Sequence, residues 1–149
     1  MRRKARLLLA AVLAASLTGP AAAYDFEPIK PIDVKEVEPA MLADIYGVWE
    51  IRDKGGKKRC RITLLKDFGI GGMQIEVAPG CDKAFPVMGD ISAWRLLEGW
   101  AIEFADPLRK TRVRWTTPDN RYVAFGDDKD IAGMDNLVKV EAKAVPRKK

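Results

Sequence analysis

Cys60 and Cys81 are the two cysteines of a 149-residue chain that contains no histidine. Those two facts bound the chemistry. Without histidine there is no Ser-His or Cys-His nucleophile and no histidine-bearing zinc site. Two thiols leave either a disulfide or part of a metal-ligand set, and the second cysteine pair that a tetrahedral site would need is missing. The remaining acid-base candidates are carboxylate pairs such as Asp127 with Asp128 and Glu103 with Asp106. Such residues are as a rule solvated turn groups. Gly69-Ile70-Gly71-Gly72 is glycine-rich but lacks the following lysine and helix of a phosphate-cradling loop. The reading is of a non-enzyme with no cofactor and no metal of its own.

The compartment follows from the first residues. Met1–Ala23 has a basic start (Arg2, Arg3, Lys4, Arg6), an apolar run from Leu7 to Leu17, and a small-residue ending, Ala21-Ala22-Ala23. That is the pattern of a Sec-type signal peptide. The run is too short to stay as a membrane anchor, and no cysteine follows it for lipid attachment. The mature chain is therefore expected to begin at Tyr24 and to reside in the periplasm, unanchored and monomeric. Export makes a Cys60–Cys81 disulfide the default, with a metal site as the weaker alternative. The bridge would close a loop of about 22 residues and contribute about 3 kcal/mol.

Export also changes the charge. The signal carries four of the 26 Lys and Arg and none of the 21 acids, which leaves the mature chain at +1. Arg147-Lys148-Lys149 supplies three of those positives in a short basic tail, residues 144–149. Nothing here resembles the basic stripe with stacking aromatics that a nucleic acid would need. Arg59, Arg61, Arg112 and Arg114 alternate with apolar residues and read as an ordinary solvated strand face.

The elements that would hold these residues have a period of two. In Tyr46-Gly47-Val48-Trp49-Glu50-Ile51, Gly47, Trp49 and Ile51 share one face. Arg59–Leu64 and Met73–Val77 repeat the alternation, followed by strands near 91–97, 100–105, 111–116, 121–125 and 137–142. Glycine- and proline-bearing turns separate them. Eight short strands at intervals near ten residues predict an all-β domain over residues 41–143, an eight-stranded antiparallel up-and-down barrel. Its core would hold Trp49, Ile62, Leu64, Trp94, Ile102, Phe104 and Trp115, with Trp100 on the face of Ile102 and Phe104. Residues 24–40 differ. Pro28 and Pro31 bias their neighbours toward extended conformations, which predicts an N-terminal arm, with a helical turn near Pro39–Ile45.

Leu42-Ala43-Asp44-Ile45-Tyr46-Gly47-Val48-Trp49-Glu50-Ile51, then Cys60, Leu64, Cys81 and Trp94, then the Gly99 turn into Ile102, resembles the Inh family. These are bacterial periplasmic inhibitors of serralysin-type (alkaline) zinc metalloproteases. The resemblance covers roughly Leu42 to Phe125. It implies an eight-stranded barrel with a Cys60–Cys81 bridge, and a trunk that enters the protease cleft with its terminal amine close to the catalytic zinc. Carried onto this chain, the trunk is Tyr24, Asp25, Phe26, Glu27 and Pro28. The family's trunk is shorter and starts with small residues, and the family's glycine in the turn after the fifth strand is replaced here by Pro107-Leu108-Arg109-Lys110.

The expected partner is thus a secreted serralysin-type metalloprotease. Two other functions suit the same elements: a lipocalin-like envelope barrel with an apolar ligand inside, and an envelope interaction domain without inhibitory action. Signal cleavage after Ala23 fixes which amine ends the arm. The intact mass of the exported protein should match a chain beginning at Tyr24, and a mass placing the start elsewhere would refute that arm.

Overall fold

The computed structural model describes residues 24–140. The expected signal peptide at 1–23, the end of the last expected strand and the expected basic tail at 144–149 lie outside the described residues. Eight strands form: β1 (Gly47–Arg52), β2 (Arg59–Gly69), β3 (Gly72–Val77), β4 (Ala93–Leu96), β5 (Ile102–Ala105), β6 (Thr111–Thr116), β7 (Tyr122–Gly126) and β8 (Asn136–Lys139). Each pairs antiparallel with the next, and β8 returns to β1, which closes the barrel. Closure follows from length. All strands but the eleven-residue β2 have only four to six residues and make too few hydrogen bonds to stand as an open sheet, and a ring leaves no exposed edge.

The alternation read in β1 is the alternation of the barrel wall. Trp49 sits opposite Ile62, Trp94 opposite Phe104, and Ile102 opposite Trp115, so large rings and branched chains meet across neighbouring strands. Trp49, Ile62, Leu64, Trp94, Ile102, Phe104 and Trp115 are all buried. They fill the interior together with Ile51, Leu96 and Val113, so the space that a lipocalin-like ligand would take is occupied by side chains. Trp49 Nε1 donates to Ile45 O at 2.7 Å, and its ring meets Tyr122 edge-on at 5.5 Å. Lys139 lies over the same indole at 5.3 Å and donates to Asp44 O at 2.9 Å and to Tyr46 O. Burial holds its ammonium below the ordinary lysine value. The last described strand is thereby tied to the chain leading into the first.

Three features differ from the expectation. β2 runs on to Gly69, and its register with β3 shifts between Leu64 and Phe68. Trp94 Nε1 reaches into that bulge and donates to Leu65 O at 3.0 Å, which satisfies a carbonyl the irregular pairing would orphan. After β3 come a helical turn, α2 (Cys81–Ala84), and a 3-10 turn over Pro86–Gly89. They bury Phe85, Val87 and Met88, and are too short for any periodicity to mark them. The third difference is a correction. Trp100 does not continue the face of Ile102 and Phe104. It ends a 3-10 turn at φ 63°, half-buried, and its carbonyl accepts a 2.7 Å bond from the Tyr122 hydroxyl. The Gly99 turn leaves no strand register at Trp100 for the alternation to act on.

Ahead of the barrel, α1 (Pro39–Ala43) starts on Pro39, whose missing N–H is no loss in a first turn. Leu42 and Ile45 pack onto the core. The disulfide joins Cys60, at the start of β2, to Cys81 on α2, with Cα atoms 4.8 Å apart. It holds the α2 connection against the barrel wall, and both thiols are consumed in it, which disposes of the metal alternative at these cysteines. Replacing both, as C60S/C81S, should lower the unfolding free energy by about 3 kcal/mol through the reopened 22-residue loop, read by urea denaturation. An unchanged midpoint would show that the loop gains nothing from closure.

Candidate functional site

The barrel leaves two seams short, β3–β4 and β7–β8, with two paired positions each, and the first is the one that the arm meets. β3 pairs with β4 at only two positions, Met73 with Trp94 and Gln74 with Ala93. Beyond Trp94, the outer edge of β4 has no strand beside it. The arm fills that place. Ile32 N donates to Leu96 O at 2.9 Å, Glu98 N donates to Lys30 O at 2.8 Å, and Pro31 bridges Leu97 between those bonds. Pro31 falls at the position of this bridge whose own N–H is not called on, so its missing donor costs nothing there.

From that staple the arm crosses to β6 over a row of charges set by register. Glu103 on β5 lies opposite Arg95 on β4 and Arg114 on β6, and Arg114 lies opposite Phe125 on β7. Arg95 Nη1 reaches Glu103 at 3.2 Å, and Arg114 Nη2 reaches it at 3.0 Å. Arg114 Nη1 then donates to Glu27 O at 2.6 Å, and the Phe26 ring stacks 5.0 Å from the guanidinium. Tyr24 packs edge-on against Phe26 at 4.6 Å. Tyr24 and Phe26 also line an open cleft of about 210 Å³ with Lys110, Arg112, Asp127 and Asp130.

Arg112 is the second centre. It donates to both carboxylate oxygens of Asp130 at 2.8 and 2.9 Å, with Asp90 at 3.4 Å and Asp106 at 3.6 Å. The bidentate geometry is the strong form of the pair. Its hydrogen bond holds the Asp130 carboxyl below the ordinary aspartate value, and the partners in turn raise Arg112. Asp106 also accepts from the Leu108 and Lys110 amides at 3.0 Å each, which fixes the β5–β6 turn. Arg109 takes φ 66° there, the left-handed conformation that a glycine would adopt without strain. Arg95 clips this turn to the β2–β3 turn, donating to Arg109 O at 3.1 Å and Gly71 O at 2.6 Å. On the far side of the barrel, Glu50 gathers Arg52, Arg59 and Arg61 at 2.7, 3.4 and 3.6 Å. Burial pushes its carboxyl up, but these three arginines outweigh burial and leave it lowered.

The structure therefore corrects two expectations. Arg112 and Arg114 are not a solvated face, and Glu103 and Asp106 are not solvated turn groups. Arg114 is 7% exposed, Glu103 4% and Asp106 8%, because the arm and neighbouring long side chains cover the wall they stand on. Arg59 and Arg61 do remain exposed. Of the trunk residues, Tyr24, Asp25, Glu27 and Pro28 are exposed and Phe26 is half-buried. Arg95, Glu103 and Arg114 were not foreseen as the seat of the arm. The opposite charges of Glu103 and Arg114, facing each other across the short turn after β5, were the available signal. Among the described residues, no group of three or more His, Cys, Asp or Glu is arranged to hold a metal ion. No described helix is long and apolar enough to cross a membrane.

The family model of the protease inhibitor Inh matches residues 40–130. No curated protein matches the chain. The matched span runs from α1 through β7 and leaves the arm outside it.

The Arg112 centre sets an acid limit. A carboxyl depressed in the folded state adds stability that is complete above its unfolded value near pH 4 and is lost as pH falls through the lower folded value. Asp130→Asn should thus reduce stability at pH 7 and shrink the drop in stability between pH 6 and pH 3, measured by urea denaturation at each pH. An undiminished acid drop would remove Asp130 from that role.

Proposed function

The chain belongs to the protease inhibitor Inh family, and from that premise we propose that it is a periplasmic inhibitor of a secreted serralysin-type zinc metalloprotease, acting through its N-terminal arm. The observation that carries this reading is the join between two parts. A rigid barrel matched by the family model is preceded by extended chain, residues 24–31, whose base is bonded to the barrel at Lys30 and Ile32.

The chemistry of such an arm is simple. Five residues, Tyr24 to Pro28, extend about 17 Å when fully stretched, enough to enter a cleft while the base stays put. An extended segment can add backbone hydrogen bonds along a cleft edge, as a substrate strand does. A chain that begins at the metal has no peptide bond spanning it, so there is nothing for the enzyme to cut. The Tyr24 amine, in its neutral form, would offer a lone pair to the protease's zinc. Pro28 and Pro31 stiffen the segment and reduce the ordering lost on binding. In this scheme the barrel binds no metal and acts as the handle, and its task is to protect the cell's own envelope.

The test is titration of the mature chain, and of a variant lacking residues 24–28, into a serralysin-type protease. The mature chain should inhibit at micromolar concentration or below, and the truncated variant should be weaker by about a hundredfold or more, a loss of roughly 3 kcal/mol of binding. The shorter deletion keeps Lys30 and Ile32, so the barrel's edge stays paired. If neither protein slows cleavage at micromolar concentration, the target assignment is wrong.

A further inference from the structure

We propose that Arg114 is a positioning residue that stows the arm against the barrel, and that residues 24–28 must leave it before the arm can enter a protease cleft. The binding consequence rests on the function proposed above; the stowing itself does not. Arg114 engages the arm through the groups that a substrate-like strand would present. Its Nη1 takes the Glu27 carbonyl at 2.6 Å, and its guanidinium lies 5.0 Å from the Phe26 ring. A carbonyl turned onto the barrel wall is not presented to a cleft edge, and a ring stacked on Arg114 cannot at the same time fill a subsite. The stowed and inserted positions of the arm exclude each other.

The geometry also shows why the catch can open. Glu103, itself bonded by Arg95, holds Arg114 from the barrel side, so Arg114 has an anchor independent of the arm. In the stowed state Arg114 Nε is buried without a hydrogen-bond partner. Lifting the arm admits water to that N–H, which offsets part of the lost contact. Arg114 then keeps its bond to Glu103 and is not left as an unpaired buried charge. Opening stops at the staple, because the Ile32–Leu96 and Glu98–Lys30 bonds belong to the β4 edge. Residues 24–28 swing, and Ile29 and Lys30 lie at the hinge.

The measurement is backbone amide dynamics by {1H}-15N nuclear Overhauser effects on the mature chain. In the wild type, the Phe26, Glu27 and Ile29 amides should be as rigid as Ile62 and Phe104. In Arg114→Met they should drop to free-chain values while Ile62 and Phe104 stay unchanged. Phe26→Leu, which keeps bulk but loses the ring, should give the same drop from the arm side and serves if the Arg114 variant fails to fold. For the protease, Arg114→Met should raise the association rate about tenfold and leave the dissociation rate unchanged, a split that simple destabilisation would not produce. A wild-type arm already at free-chain values, or an arm that stays rigid in both variants, overturns the stowing. A mobile variant arm with an unchanged association rate overturns its bearing on binding. Should no serralysin-type protease bind at all, the target assignment fails, and the amide data still decide whether Arg114 holds the arm.

Discussion

Closing a ring in which every strand but β2 is only four to six residues long leaves little tolerance for an unpaired backbone. Six of the eight seams pair at four or more positions, while β3–β4 and β7–β8 pair at two each. The chain answers with its own N-terminal segment, which lies along the exposed part of β4. A stretch that reads as a linker is therefore part of the wall. The same need for satisfied backbone explains why the Trp94 indole points its N–H into the β2 bulge.

The outer face of this barrel is unusual in being partly dry. Arg95, Glu103 and Arg114 form a cross-strand row that would lie in water on an ordinary antiparallel sheet. Covered by the arm, the row becomes a positive socket with a carboxylate behind it. Breaking such a buried pair leaves one charge stranded, so the three side chains depend on one another. The Arg112 centre at the neighbouring turns does related work by tying Asp130, in the loop between β7 and β8, to the β6 strand.

Much of the architecture was legible in the residues themselves. Alternation in Gly47–Ile51, Arg59–Leu64 and Met73–Val77, with glycine and proline between strands, is enough for an eight-stranded barrel, because side-chain period and turn chemistry are local. The candidate site was legible in part. Pro28 and Pro31 announce extended chain, but no local rule says that the chain will lie down on the wall. That depends on the unpaired edge of β4 and on a buried Arg114, both products of tertiary packing. Arg112 and Arg114 show the failure most plainly: their spacing is that of a solvated face, and the cover arrives from more than eighty residues away in the case of Arg114 and Glu27. Trp100 fails for the opposite reason, since two consecutive left-handed residues, Gly99 and Trp100, break the register on which the alternation rests.

Lys139 carries a last consequence, one of timing. It bonds the carbonyls of Asp44 and Tyr46 from a position 95 and 93 residues later, and β1 has β8 as one of its two neighbours. Contacts of such sequence separation are slow to form, because the loop entropy is lost before they reward it. A nascent chain still lacking β8 has β1 and β7 with raw edges and Trp49 without its lid. The seam between the two ends is the one whose contacts carry the greatest sequence separation, and so the greatest loop entropy to close.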